Sequence, residues 1–345
     1  MLARRPRARY GDDRLRAPAR GALLRRHAPT VSMNFQQLRI IRETARRNFN
    51  LTDVASALFT SQSGVSKHIK DLEDELGVEL FVRRGKRLLG MTEPGKELLV
   101  VVERMLLDAN NIRQLADQFA NRDAGSLAIA TTHTQARYAL PDVIRRFVKE
   151  FPKVHLELHQ ASPKEIVAML NAGEVDIGMA TEALDLQPGL ASFPVYEWRH
   201  AVVVPRGHAL TRKASITLAD IAEYPVITYH REFAGRTRID AAFAQAGLAP
   251  DIVMSALDTD VIKTYVGLGL GVGIIASIGY VPGREPGLAL IETGDLFAVN
   301  VARIAVRRGH YLRGFGYRFI ELCSADLDEA SVRQAVSPSR DAEFG

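Results

Sequence analysis

The stretch formed by residues 51–76 has the pattern of two short helices joined by a tight turn. Thr52 is placed to cap the first helix, and Thr60 or Ser61 to cap the second, because a hydroxyl accepts a hydrogen bond from an unpaired amide at a helix start. Small Ala55 stands where the helices of such a pair approach closely. Apolar residues recur at helical spacing in both halves, as Val54, Ala55, Leu58 and as Val65, Ile69, Leu72. The stretch therefore predicts a helix-turn-helix.

The second predicted helix presents a polar face of the kind that enters a DNA groove. Amides and hydroxyls reach base edges and lysines reach phosphates, and this face carries Gln62, Ser63, Ser66, Lys67 and Lys70. A basic turn at residues 81–87 is typical of a wing along the phosphate backbone, with the cations Arg83, Arg84, Lys86 and Arg87. The alternative is a helical hairpin with a solvated polar face and a solvated charge run. The position of the basic turn just beyond the helix favours double-stranded DNA as a partner.

The leader, residues 1–32, is rich in arginine, alanine and proline and poor in large apolar residues, which predicts disorder. It holds nine arginines and two aspartates, so the net charge of +5 arises there. The case for DNA binding therefore depends on the local basic wing and helix rather than on overall charge. A transit peptide and a basic arm are alternatives. We favour an upstream start codon with Met33 as the natural start, because an apolar-periodic pattern begins directly after it.

The sequence carries no pattern of a membrane span, a disulfide or a catalytic centre. Its longest apolar run, residues 268–278, is shorter than the roughly 20 residues that span a bilayer. Cys323 is the only cysteine, which excludes internal disulfides and cysteine-based zinc sites and fits a reducing cytoplasm. The glycines at 267–273 follow a helical pattern and precede a strand, the reverse of a dinucleotide-binding turn. Metal-binding histidine pairs and serine elbows are lacking, so we expect no cofactor, no metal and no enzymatic activity.

A long linker helix is predicted at residues 93–122. Thr92 is placed to cap it, and Pro94 fits its first turn, where the missing N–H costs nothing. Apolar residues then recur at alternating steps of four and three, as in a coiled-coil seam: Leu98, Val102, Met105, Ala109, Ile112, Ala116 and Phe119. The helix could pack on its own domain. A seam this regular between two globular parts instead favours pairing with a second chain, and a dimer lets a helix-turn-helix protein bind two half-sites.

Beyond Gly125, short apolar runs alternate with helical patterns, which predicts parallel strands with crossover helices. Two similar series follow each other, so we expect two Rossmann-like α/β lobes with a cleft between them. The expected organisation is a winged helix-turn-helix at 33–92, the linker helix at 93–122, an α/β domain at 125–324 and a flexible tail at 325–345. Within the α/β domain, lobe I is expected at 125–196 and 298–324, and lobe II at 197–297.

A cluster of polar residues follows the first predicted strand of the α/β part. The run Thr131-Thr132-His133-Thr134-Gln135 lies between a strand pattern and a helix pattern, and Thr181 ends another strand. In open α/β sheets, ligands bind at the carboxyl ends of strands, near helix N-termini whose unpaired amides favour anions. The alternative is that each threonine only caps a helix. As a group they predict a site for a small anion such as a carboxylate or sulfate.

As a set these residues resemble the LysR-type transcriptional regulators over about residues 33–322. The DNA-binding signature is carried by Ser61-Gln62-Ser63-Gly64-Val65-Ser66-Lys67, Leu72-Glu73-Asp74-Glu75-Leu76-Gly77, Leu80-Phe81 and Thr92-Glu93-Pro94-Gly95. The α/β part is similar to the cysteine-regulon activator branch of that family in residues 131–141, 180–184 and 260–266. Ser63 stands where many members carry proline, which is a mild departure.

The resemblance implies an N-terminal winged helix-turn-helix (all-α with a small wing), a long linker helix and a periplasmic-binding-protein-like effector domain of two lobes. It also implies a homodimer or homotetramer that binds promoter DNA, works with RNA polymerase and senses acetylserine, sulfate or another small sulfur-related anion. The implied effector contacts are Thr132, Thr134, Gln135 and Thr181, with Trp198 nearby. Ala234 stands where the branch often has a hydroxyl, which removes one expected hydrogen bond and leaves the effector's identity open.

Three other functions remain open on the sequence alone. A regulator of sulfonate use differs only in its target genes. A small-anion solute-binding protein has the same two lobes, but the chain shows no signal-peptide pattern and carries a helix-turn-helix. An enzyme is disfavoured by the missing acid–base set. We therefore expect a cytoplasmic DNA-binding regulator, and an activator, of sulfur assimilation and cysteine biosynthesis genes.

Overall fold

A computed structural model describes residues 33–85, 87–181, 183–231 and 234–337, with the backbone alone for Ala234. The expected disorder of the leader at 1–32 concerns residues outside this description. The chain forms two compact units, one up to Val102 and one from Glu103 onward. The linker helix α4, Glu93–Ala120, begins in the first unit and ends in the second.

The N-terminal unit contains three helices, α1 Phe35–Arg46, α2 Leu51–Ala57 and α3 Gln62–Leu76. Helix α3 is capped by Ser61, one of the two predicted residues. The predicted cap of α2 is wrong. The Asn50 side chain, not that of Thr52, caps the helix by accepting a hydrogen bond from the Thr52 amide at 3.1 Å. The apolar stripes form one buried core of Ile40, Ile41, Leu51, Val54, Ala55, Val65, Ile69 and Leu72.

The basic turn is the tip of a two-stranded wing. Strands β1 Phe81–Arg84 and β2 Arg87–Met91 pair antiparallel. Buried Glu73 of α3 fixes the start of the wing, because its Oε1 accepts hydrogen bonds from the amides of Leu80 at 2.8 Å and Phe81 at 3.3 Å. The carboxylate thus satisfies two backbone amides at the start of the wing.

Helix α4 has a buried and an exposed side. Thr92 caps its first turn as predicted, accepting a hydrogen bond from the Gly95 amide at 3.1 Å. In the C-terminal unit, the Asn111 side chain donates to the Gly309 carbonyl at 2.7 Å and accepts from the Tyr311 amide at 2.8 Å. The predicted seam is divided, since Val102 is buried whereas Met105, Ile112 and Phe119 are exposed. The side that carries Asn111 packs within its own chain, and an apolar side remains uncovered.

Lobe I of the C-terminal unit is built on a five-stranded sheet of order β4-β3-β5-β12-β6. Its strands are β3 Ala124–Thr131, β4 Lys153–Gln160, β5 Ile177–Ala180, β6 Leu190–Trp198 and β12 Asn300–Arg307. Strands β3, β4 and β5 are parallel, and β12 runs antiparallel to β5 and β6. The helices are α5 Leu140–Glu150, α6 Pro163–Ala172, α10 Gly314–Cys323 and α11 Glu329–Val336. A short π-helical turn, Gln135–Ala139, precedes α5.

Lobe II has a second five-stranded sheet, of order β11-β7-β10-β8-β9. Its strands are β7 His200–Pro205, β8 Val226–Tyr229, β9 Ile252–Ala256, β10 Val272–Ala276 and β11 Leu288–Glu292. Its helices are α7 Leu218–Ala222, α8 Ala234–Gln245 and α9 Thr259–Gly267, with 3-10 turns at Ala209–Arg212 and Ser277–Gly279. The chain passes between the lobes twice, from β6 to β7 and from β11 to β12. The predicted two-lobed α/β architecture is confirmed.

Strand β6 was not expected from the sequence. It contains Pro194, which cannot donate to a sheet ladder and therefore argues against a strand. In the structure β6 is an edge strand, and Pro194 lies opposite Arg303 next to a shift in register with β12. An edge position beside an irregularity is where a sheet tolerates proline.

The expectation of a flexible tail at 325–345 is wrong for part of that segment. Helix α11 is capped by Asp328, whose side chain accepts from the Ser331 amide at 2.7 Å. Val332 and Val336 are buried in the core of lobe I. Burial of two valines on one side of the helix fixes a segment whose composition is otherwise polar. Residues 338–345 lie outside the described part of the chain.

Candidate functional site

The outward side of helix α3 carries the residues that the sequence predicts to meet DNA. Its inward side is held by buried Val65, Ile69 and Leu72, which fixes the rotation of the helix about its axis. The polar residues consequently point away from the core, with Gln62, Ser63, Lys67 and Lys70 exposed and Ser66 half-buried. A helix with short polar side chains on one side and a fixed inner side can present them to base edges.

The wing adds cations next to this helix. Arg84 and Arg87 are exposed and lie opposite each other in the hairpin. Arg83 differs, because its Nη2 lies 2.6 Å from Oε2 of Glu73, the same carboxylate that fixes the start of the wing. Lys86, the fourth predicted cation, lies outside the described residues. The wing thus contains one arginine with a structural ion pair and two that face solvent.

Five residues predicted to bind an effector line a single cavity between the lobes. Lobe I contributes Thr132, Thr134 and Gln135 after β3, Thr181 after β5, and Trp198 at the end of β6. Strands β3 and β5 are parallel neighbours, so their carboxyl ends meet at one edge of the sheet. Lobe II closes the other side with Tyr229, Gly235, Leu257 and Ala276. The enclosed space is small, about 50 Å³, and it opens to solvent.

Hydrogen bonds hold several of these side chains in place. The Trp198 indole donates to the Thr181 hydroxyl at 3.3 Å. Buried Gln135 accepts a hydrogen bond from the Tyr196 hydroxyl through its Oε1, which directs its amide group. Burial raises the pKa of Tyr196, so its hydroxyl remains a donor at neutral pH. The Thr132 hydroxyl lacks a partner among the hydrogen bonds of the described residues, which leaves it available to a ligand.

Tyr229, Leu257 and Ala276, which line the lobe II side of the cavity, were missed by the sequence reasoning. Tyr229 ends strand β8, and its hydroxyl lies 2.7 Å from that of Thr259 and accepts from the Ala276 amide at 2.9 Å. The Thr259 hydroxyl in turn lies 3.5 Å from that of Thr134 in lobe I. A signal existed, because Tyr229 is the last residue of a parallel strand, the same position that identified the lobe I residues.

A second set of contacts joins the lobes beside the cavity. We call Arg137, Tyr138, Asp260, Lys263 and Glu285 the inter-lobe cluster. Tyr138 donates to Asp260 at 2.7 Å and accepts from Lys263 at 2.7 Å, and Arg137 Nε lies 2.7 Å from Asp260. Lys263 also donates to Glu285 and to the Gly279 carbonyl, in the 3-10 turn after β10. Burial lowers the pKa of Lys263, but its hydrogen bonds to Glu285 and Tyr138 outweigh burial and raise it, so the amine stays charged.

One group of potential metal ligands occurs among the described residues, formed by His133, Asp258 and Asp260. Its carboxylates already have partners. Asp258 caps α9 by accepting from the Val261 amide at 2.9 Å, and Asp260 binds members of the inter-lobe cluster. The group therefore acts in helix capping and lobe contact, and we assign it no metal.

Two family models match the chain. The bacterial regulatory helix-turn-helix protein of the lysR family matches residues 35–96, and the LysR substrate binding domain matches residues 120–328. The chain belongs to the LysR family. This confirms the family resemblance and the fold class predicted from the sequence.

Named LysR-family relatives align along almost their whole length. The HTH-type transcriptional regulator SsuR of Burkholderia cenocepacia is 57% identical over 308 residues, which is 88% of this chain and 100% of the relative. The HTH-type transcriptional regulator cbl of Escherichia coli is 54% identical over 312 residues, 90% of this chain and 99% of the relative. The solved cofactor-binding domain of the Cbl transcriptional regulator is 47% identical with a TM-score of 0.61, covering 63% of this chain and 95% of that domain.

Across the described residues we find no helix with the length and apolar character to cross a bilayer. Burial raises the pKa of the Cys323 thiol to about 12, so the thiol stays protonated at neutral pH and is a poor nucleophile. The single cysteine acts as a core residue of lobe I.

Proposed function

We propose that this protein is a DNA-binding transcriptional regulator of sulfur assimilation and cysteine biosynthesis genes, controlled by a small sulfur-related anion in the cleft. The observation that carries the proposal is the convergence of Thr132, Thr134, Gln135, Thr181 and Trp198 on one cavity. These are the residues that the resemblance to the cysteine-regulon branch assigns to the effector. The relatives SsuR and Cbl, both transcriptional regulators, support the same function.

The chemistry of the cavity favours an anion. Its described lining residues include hydroxyl and amide donors and no carboxylate. Neutral donors directed at one point stabilise an anionic oxygen without the cost of burying a cation. Sulfate, thiosulfate, adenosine phosphosulfate and the acetylserines all present such oxygens. Ala234 stands where the branch often has a hydroxyl, so we expect the effector to make one hydrogen bond fewer.

DNA recognition is assigned to the N-terminal unit. Helix α3 enters the major groove with Gln62, Ser63, Ser66, Lys67 and Lys70, and the wing contacts phosphates with Arg84, Lys86 and Arg87. The assignment is supported by the exposure of the described members of both sets. Arg83 contributes mainly through Glu73, which keeps the wing in place.

The exposed side of α4 is assigned to a second copy of the chain. Ile112 and Phe119 expose 68% and 84% of their surface, and water contact with such residues is unfavourable. Pairing there gives the homodimer that two DNA half-sites require, and two dimers give a homotetramer. An activator of this kind also contacts RNA polymerase at the promoter and works in the cytoplasm. A regulator of sulfonate use fits the same structure and differs in the promoter that it protects.

The proposal is tested with the full chain and a matched pair of variants. Thr132→Val removes a cavity hydroxyl at nearly constant volume. Thr237→Val makes the same substitution at an exposed position of α8, away from the cavity. We expect the unsubstituted chain and Thr237→Val to protect sulfur-gene upstream DNA in footprints and to show a thermal shift with sulfate, thiosulfate, adenosine phosphosulfate or an acetylserine. Thr132→Val should keep the footprint and lose most of the shift.

The two parts of the proposal fail separately. A chain that protects none of these upstream regions at any salt concentration is not the proposed regulator. Protection of DNA together with an unchanged thermal shift in Thr132→Val would mean that the effector binds elsewhere. Protection confined to sulfonate-use promoters would replace cysteine biosynthesis by sulfonate use as the target.

A further inference from the structure

His200 is a buried histidine beside the effector cavity that the sequence reasoning did not assign. It is the first residue of β7 and exposes 1% of its surface. Its ring packs edge-on against Trp198, with centroids 5.0 Å apart, and against Phe297 at 5.6 Å. Trp198 and Tyr229, whose ring lies 6.5 Å from that of His200, both line the cavity. His200 therefore lies directly behind the cavity wall.

The two ring nitrogens of His200 have different surroundings. Nδ1 lies 3.4 Å from the side-chain nitrogen of Asn300, which also donates to the Ala298 carbonyl. Because the amide nitrogen is a donor, Nδ1 accepts and carries no hydrogen. Burial, with the nearby Arg238 charge, lowers the pKa of His200 to about 3, so the ring is neutral and its one hydrogen is on Nε2. That N–H has no hydrogen-bond partner among the described residues.

Gly235 shows where the unpaired N–H is directed. This glycine lies at the start of α8 and lines the cavity, and a Cβ built on it would lie 3.0 Å from Nε2 of His200. Nε2 has almost no accessible surface and thus lies just behind the cavity wall, at a residue that has no side chain. The unpaired amides at the start of α8 favour negative charge at the same place.

We propose that His200 is a further effector-binding residue, which donates its Nε2 hydrogen past Gly235 to an anionic oxygen of the ligand in the cleft. The inference rests on the proposed function, because it takes the ligand to be a small anion. The Nε2–H of His200 is then a neutral donor to the ligand from lobe II, opposite the hydroxyls of Thr132 and Thr134 in lobe I. A donor buried without a partner is costly, and a bound oxygen removes that cost. Ligand binding then links residues of both lobes.

Two substitutions that introduce a side-chain amide distinguish the roles of the two ring nitrogens of His200. In His200→Gln the side-chain nitrogen extends to the position of Nε2 and keeps a donor there, whereas in His200→Asn it reaches only the position of Nδ1. Both variants are uncharged, as the native ring is. We expect titration calorimetry of the full chain with sulfate to show binding weakened by about tenfold or more in His200→Asn, the loss typical of one hydrogen bond to a charged group. His200→Gln should bind within about threefold of the native chain.

His200→Phe covers the case in which His200→Asn does not fold. It keeps an aromatic ring against Trp198 and Phe297 and removes the donor, and it should bind sulfate as weakly as His200→Asn. Native-like sulfate affinity in the folded donor-free variant, with affinity lost in Thr132→Val, would overturn the role of His200 and leave the proposed cavity intact. Equal weakening in the Gln and Asn variants would show that the ring acts by packing. A native chain that binds neither sulfate nor acetylserine would overturn the anionic cleft and the role of His200 together.

Discussion

Glu73 gives the two neighbouring arginines of the wing different surroundings. Its carboxylate binds the Leu80 and Phe81 amides and the Arg83 guanidinium, so Arg83 is part of the packing between α3 and the wing. Arg84 lies opposite Arg87 across the hairpin, where like charges repel each other. A phosphate close to both would relieve this repulsion. The sequence alone shows four cations in one turn and does not distinguish these roles.

Substitution of each arginine by alanine should therefore have a different effect. Arg84→Ala removes a phosphate contact, so binding should weaken across DNA sequences and the slope of log K against log salt should fall by about one. Arg83→Ala leaves Glu73 without its cation, so the free energy of unfolding should fall by about 1 kcal/mol. DNA titrations at several salt concentrations and urea unfolding measure the two effects. An unchanged slope in Arg84→Ala would remove Arg84 from the phosphate contacts.

At the scale of elements, periodicity predicted the helices and strands that bury a long apolar stripe. The stripe Val65, Ile69 and Leu72 is buried along α3 as predicted, and the linker helix predicted at 93–122 is observed as Glu93–Ala120. The two elements that were missed depend on tertiary context. Strand β6 contains a proline tolerated only at a sheet edge, and α11 buries just two valines on an otherwise polar helix.

The candidate site was likewise predictable only in part. Thr132 and Thr181 were predictable because parallel strands place their carboxyl ends at one edge of a sheet. Gly235 and Leu257 line the cavity from lobe II. Their part in the cavity depends on how the second sheet faces the first, and hydrophobic periodicity contains no information about that packing.

Helix α11 gives a prediction at this scale. Val332 is 1% exposed in the lobe I core, and Gln334 is exposed on the same helix. Val332→Ala deletes two buried methyl groups and should lower the free energy of unfolding by about 2 kcal/mol. Gln334→Ala should change it by less than about 0.5 kcal/mol. Denaturant unfolding of the two variants provides the comparison, and equal stabilities would mean that α11 does not pack on lobe I in solution.

In the effector-binding unit as a whole, one turn of the chain contributes residues to both the effector cavity and the inter-lobe cluster. The π-helical turn Gln135–Ala139 has Gln135 in the cavity wall and Arg137 and Tyr138 in the cluster. π-Helical turns are often found at functional sites. Because the backbone of this turn is shared, we expect a change in the position of Gln135 on ligand binding to alter the contacts that Tyr138 makes with lobe II. The cluster is therefore suited to link ligand binding to the arrangement of the lobes.

Tyr138→Phe tests this link. The substitution removes the hydrogen bonds to Asp260 and from Lys263, each 2.7 Å long, and leaves both charges with other partners, since Asp260 keeps Arg137 and Lys263 keeps Glu285. Fewer molecules then hold this arrangement of the lobes before ligand arrives, so sulfate affinity should fall by about three- to tenfold. Tyr265→Phe is the matched control, a half-buried tyrosine of lobe II outside the cluster. Calorimetry with both variants measures the difference, and native affinity in Tyr138→Phe would show that the cluster does not bias the lobes.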